Sequence, residues 1–147
     1  MADVVVDASL VAKWGLFEEY TEEALALYED WESAGVRRLA PTLLVSELAN
    51  TLYKRVRRNE IPEERAREIL AALLGLGLVL LDDAELADTA TALAQEFQLT
   101  TAYDAFYLSS AELAHCELWT ADQRFFNSVS VRLPWVRWIG HYQASNP

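Results

Sequence analysis

The sequence predicts an α/β fold, a short and mainly parallel central sheet surrounded by helices, on three observations. Short apolar runs alternate with longer segments of helical period. The first run, Val4-Val5-Val6, is continuous rather than alternating, as a strand buried on both faces requires. The chain has 147 residues, 52% of them apolar, enough for one sizeable core, so residues 1–147 are expected to form a single domain.

The elements follow in order. A strand over 4–6 ends at Asp7, and Asp7-Ala8-Ser9 starts a short helix to about residue 14. Ala24, Leu25, Leu27, Tyr28 and Trp31 form an apolar stripe on a helix over 21–34, which Gly35 ends. Residues 38–40 make a second strand, stopped by Pro41. Thr42 then caps a helix to about residue 57, with Leu44, Val45, Leu48, Leu52 and Val56 facing inward. Pro62 opens a helix over 63–74, and the Gly75/Gly77 break precedes a strand over 78–81. Helices over 84–97 and 102–115 come next, then a strand over 118–120, a short helix after Asp122, and a last strand over 136–139.

Composition excludes several classes. With five Trp, six Tyr, five Phe, four Pro and five Gly, the chain is neither disordered nor collagen-like. One cysteine, Cys116, makes neither an internal disulfide nor a thiolate zinc cluster and reads as a small core residue. The longest apolar run, residues 69–81, falls short of the roughly 20 residues of a membrane span. The first residues lack the basic and apolar regions of a signal peptide, so a cytoplasmic protein without membrane contact is expected.

The net charge of −11 argues against clinging to nucleic acid by bulk electrostatics. The charge is uneven, however. Residues 33–67 carry eight basic and four acidic side chains, a net of +4. This block, Arg37, Arg38, Lys54, Arg55, Arg57, Arg58, Arg65 and Arg67, reads either as a solvated helix surface paired with nearby glutamates or as a landing strip for RNA or an acidic partner.

In an open parallel sheet, sites form beyond the C-terminal ends of the strands. Asp7 and Asp122 fall at such ends, Asp104 lies in the first turn of a helix, and Glu47 edges the apolar stripe of another. Each has an ordinary reading: the aspartates as helix caps, Glu47 as a surface residue. Gathered together, four carboxylates suit hard octahedral cations such as Mg²⁺ or Mn²⁺, which keep waters for substrate phosphates. Ser9 and Thr120 read either as hydroxyls that hydrogen-bond such carboxylates or as ordinary helix-start and strand-end residues, and Asn50, one turn beyond Glu47, either orients it or faces solvent.

Four segments carry a resemblance. Val5-Val6-Asp7-Ala8-Ser9, Pro41-Thr42-Leu43-Leu44-Val45-Ser46-Glu47-Leu48-Ala49-Asn50, Tyr103-Asp104-Ala105-Phe106-Tyr107-Leu108 and Thr120-Ala121-Asp122-Gln123-Arg124-Phe125 resemble the signature segments of the PIN-domain family. Length and spacing are similar to the VapC-type ribonuclease toxins within it. The resemblance spans nearly the whole chain, including Val136-Arg137-Trp138-Ile139.

That resemblance implies a PIN-like α/β/α sandwich and a metal-dependent endoribonuclease. Asp7, Glu47, Asp104 and Asp122 match the family's acidic quartet, implying one or two Mg²⁺ or Mn²⁺ ions and hydrolysis that leaves 5′-phosphate and 3′-hydroxyl ends. It also implies a homodimer silenced by an antitoxin. Some members carry another acid two residues beyond the fourth; here that position is Arg124, available to a phosphate or an antitoxin carboxylate. Lys54 and Arg55 are further candidate contacts to RNA or partner, and Trp14, shortly after Asp7, is a candidate for stacking a base. His115 and His141 read as structural or surface residues.

Competing readings are a phosphoacceptor receiver domain or a haloacid-dehalogenase-type phosphatase. Both use a lysine late in the chain, whereas Lys13 and Lys54 are the lysines here, and the phosphatase pattern wants an acid where Ser9 stands. Two more compete within the resemblance itself: a PIN-fold RNA-processing nuclease without an antitoxin, and a non-catalytic PIN-like binding module.

Overall fold

The computed structural model of the chain describes residues 2–144; Met1 and residues 145–147, part of the single-domain expectation, lie outside it. Five strands pair in parallel: β1 (Asp3–Val6), β2 (Arg37–Pro41), β3 (Val79–Leu81), β4 (Glu117–Thr120) and β5 (Val136–Trp138), in the order β3-β2-β1-β4-β5. Among the described residues seven α-helices flank them: α1 (Ala8–Ala12), α2 (Thr21–Ala34), α3 (Leu43–Arg57), α4 (Glu63–Leu74), α5 (Asp83–Glu96), α6 (Tyr103–Ala114) and α7 (Gln123–Val129). A 3₁₀ turn, Ile139–His141, takes the last residue of the expected fifth strand. The α/β expectation holds.

The connections run outward from β1 to β3 on one side, then return across the sheet to β4 and β5. Right-handed crossovers therefore place α1–α4 on one face and α5–α7 on the other. The reversal leaves the crevice between the ends of β1 and β4 as the topological switch point, where open α/β sheets bind ligands.

Burial follows the local sequence. Val4, Val5 and Val6 sit mid-sheet and are buried, each contributing about 1.5–3 kcal/mol by leaving water. Val79 and Leu80 are exposed because β3 is an edge strand. On α3, Leu44, Leu48 and Leu52 recur every fourth residue and are buried, while Val45 and Val56 are half-buried at the rim of the stripe. Gly35, left-handed at φ 70°, ends α2 without the strain a side chain would bring.

Some expectations are corrected. Leu25 is 41% exposed, because α2 buries the narrower Ala24–Leu27–Trp31 line and turns Leu25 to solvent. Thr42 stands at the start of α3 in helical backbone with no capping bond; the Leu43 N–H instead donates to Asp83 at 3.4 Å. Arg38 is not on a basic surface. It is buried, donates to Glu32 at 2.6 Å, and lies 4.9 Å over the Tyr28 ring.

Candidate active site

Asp7 follows β1 and caps α1. Its backbone is extended, and its Oδ1 accepts the Leu10 N–H at 3.0 Å and the Ser9 hydroxyl at 2.7 Å. Its Oδ2 accepts the Thr120 hydroxyl from the end of β4. The carboxyl is buried, and that desolvation pushes its pKa up to about 7, more than the three donors pull it down. Ser9 and Thr120 stitch the two strand ends together: Ser9 Oγ accepts the Ala121 N–H and Thr120 Oγ1 the Asp122 N–H, each at 3.0 Å. Both lie at Asp7, as their hydroxyls require.

Asp122 is exposed and caps α7 by accepting the Phe125 N–H at 3.0 Å. Asp104 sits in the first turn of α6, where the helix N-terminus favours a carboxylate. Among the described residues nothing donates a hydrogen bond to it. Burial, then repulsion from Asp122 and Glu47, lifts its pKa to about 6. Glu47 lies on α3 between Ser46 and the buried Leu48; it is half-buried, accepts the Tyr107 hydroxyl, and is also raised by burial.

These four carboxylates, from four separate segments, line one cavity of about 240 Å³ at the C-terminal edge of the sheet. Asn50, Thr51 and Lys54 complete its α3 wall. No hydrogen bond joins Asn50 to Glu47 among the described residues. Nor, among those residues, are three His, Cys, Asp or Glu side chains grouped so as to hold a metal ion. Like charges repel, and these acids border the cavity rather than meet at a point. A second hollow, about 370 Å³, opens beside His115, Cys116 and Glu117 at the start of β4, and has no comparable set of acids.

Three candidate contacts fall elsewhere. Trp14 does not line the cavity: its Nε1–H donates to the Ala24 carbonyl at 2.9 Å, and its ring meets Tyr28 and Trp31 edge to face. Its hydrogen bond and aromatic partners lie on α2, apart from the acidic cavity. Arg55 is paired with Glu18 and with Glu60. Arg124 is exposed at the start of α7, outside the cavity lining, and is in no ion pair among the described residues. His115 and His141 are both exposed, His141 against the Trp138 ring.

Sequence reasoning alone misses Tyr107 and Thr51 as site residues. The signal for Tyr107 is its place three residues after Asp104, the same face of one helix.

Comparison with solved structures shows the same fold. PAE2754 from Pyrobaculum aerophilum is 24% identical at a TM-score of 0.67, covering 92% of this chain and 83% of that one. A toxin–antitoxin complex from Klebsiella pneumoniae is 20% identical at 0.59, covering 90% and 94%. VapBC2 from Rickettsia felis, bound to a DNA fragment from its promoter, is 15% identical at 0.60, covering 92% and 98%. The search of curated proteins gave no match. The profile of the PIN domain matches residues 4–130, a span that includes all four carboxylates and strands β2 to β4 with all but the first residue of β1. With the acidic cavity at its β1/β4 switch point, the chain belongs to the PIN domain family.

Proposed function

We propose that the chain is a metal-dependent endoribonuclease that hydrolyses RNA phosphodiester bonds as the toxin of a toxin–antitoxin pair. PIN domains are generally nucleases, and they generally use divalent metals. The observation that carries the reading is the single cavity bordered by Asp7, Glu47, Asp104 and Asp122, with Lys54 as its cationic wall. Hard carboxylate oxygens around an open, polar cavity fit Mg²⁺ or Mn²⁺, which keep several waters and need few protein ligands. In this reading those four acids hold one or two ions.

An ion held by these acids would supply Lewis-acid activation of water and offset negative charge on the phosphate oxygens. The chain's own groups do the rest. Ser9 and Thr120 fix the Asp7 carboxylate, Lys54 draws a backbone phosphate toward the acids, and exposed Arg124 contacts the flanking phosphate.

The toxin part of the proposal is supported by two fold neighbours described as a toxin–antitoxin complex and as VapBC2. With it go a homodimer, an antitoxin that covers the site, residues 1–147 as one domain, and a cytoplasmic location. No helix among the described residues is long and apolar enough to cross a membrane.

The test is cleavage of structured RNA by the purified protein. Activity is expected with Mn²⁺, lost with EDTA and lost in Asp104→Asn. Equal activity in that variant removes the site assignment. Growth arrest on expression, relieved by a small protein encoded beside it, separates a toxin from an RNA-processing nuclease.

A further inference from the structure

Tyr107 sits on α6 one turn beyond Asp104, with its ring buried at 2% exposure and its hydroxyl at the cavity. A ring so packed cannot swing without opening the core, so its hydroxyl is a fixed point. The hydroxyl reaches the cavity that Asp7 and Ala8, at the end of β1 and the start of α1, also line. From that point the hydroxyl donates to Glu47 Oε1 on α3. One hydrogen bond thus ties α6 to α3, and each of these helices carries an acid of the site.

Glu47 needs such a tie. It has a flexible side chain, is half-buried, and shares the cavity with Lys54 two turns along the same helix. Among the described residues it makes no ion pair with Lys54. We propose that Tyr107 is a positioning residue, whose hydroxyl holds Glu47 at the cavity for a divalent cation. The inference rests on reading the cavity as a metal site, and it assigns Tyr107 no contact with substrate.

The test is Mn²⁺ titration by calorimetry on the full chain, in wild type, Tyr107→Phe, Glu47→Ala and the double variant. Tyr107→Phe is expected to weaken Mn²⁺ binding about tenfold in wild type and less than about twofold in Glu47→Ala, because it acts through Glu47. Equal weakening in both backgrounds, or none in wild type, overturns the proposal. Incorporation of p-aminophenylalanine at position 107 keeps a donor in place without demanding a new fold. It is expected to retain Mn²⁺ affinity within about twofold, and a tenfold loss there also overturns the proposal. Wild type that binds no Mn²⁺ defeats the metal reading itself; wild type that binds while Tyr107→Phe is unaffected defeats only the role of Tyr107.

Discussion

Thr120 donates its hydroxyl hydrogen to the Asp7 carboxylate, 113 residues away in sequence, while its oxygen accepts the backbone N–H of Asp122. A single buried hydroxyl therefore joins the two acids at the ends of neighbouring strands. This pairing depends on the β1–β4 register, in which Val6 faces Trp119 and the next residues lie side by side.

Thr120→Val keeps the shape and removes both bonds. A buried carboxyl and a backbone N–H then lose partners, at a cost of about 1–3 kcal/mol. The melting temperature is expected to fall by roughly 4–8 °C, with a smaller fall in Thr120→Ser. An unchanged thermal melt in Thr120→Val contradicts the role of this hydroxyl.

Stability without metal carries the mark of the same acids. Burial lifts Asp7 to about 7 and Asp104 to about 6, whereas an unfolded aspartate titrates near 4. The native state then binds protons more tightly than the unfolded chain. The stabilisation is fully present below about pH 4 and is lost as pH rises through about 6 to 7. In EDTA the melting temperature is expected to decline between about pH 5 and pH 7.5, with a shallower decline in Asp104→Asn, which also melts above wild type at the upper end. A wild-type melt that climbs across this window refutes the burial argument.

The sheet was legible where local chemistry decides. The Val4-Val5-Val6 run, the Pro62 start and the Gly35 stop each mark an element observed within a residue or two. What stayed hidden depends on partners. Leu25 and Leu27 differ little in sequence, yet only Leu27 meets the core. Arg38 reads as basic surface until Glu32 and Tyr28 are seen to enclose it. The four acids could be picked out by their places at element ends, but their convergence depends on the strand order, which no segment states. The Tyr107–Glu47 bond, across 60 residues, left only a helical spacing as its trace.

Trp14 supplies a test of that distinction. Its indole N–H bond to Ala24 and its edge contacts with Tyr28 and Trp31 join the end of α1 to α2. Trp14→Ala is expected to destabilise by about 2–4 kcal/mol, and to leave RNA affinity unchanged at a temperature where the variant is folded. A near-normal melt with weakened RNA binding assigns Trp14 to base stacking instead.

Lys54 and Arg55 are neighbours in sequence with opposite duties. Arg55 is three-quarters covered and bridges Glu18 and Glu60, while Lys13 holds Glu18 at 3.2 Å from the other side. This network fastens the segment after α1 to the last turns of α3. Arg55→Ala is expected to lower stability by about 1 kcal/mol, less in high salt, because Glu18 keeps Lys13 and the pairs are only partly buried. Lys54 makes no ion pair among the described residues and lines the acidic cavity. Lys54→Ala is expected to leave the melt within about 2 °C of wild type. Its effect falls on RNA: KM rises about threefold or more, most steeply at low salt, since one phosphate contact is lost. Paired melting and cleavage measurements on the two variants separate the roles. If Lys54→Ala melts early with normal KM, the lysine serves the fold and not the substrate.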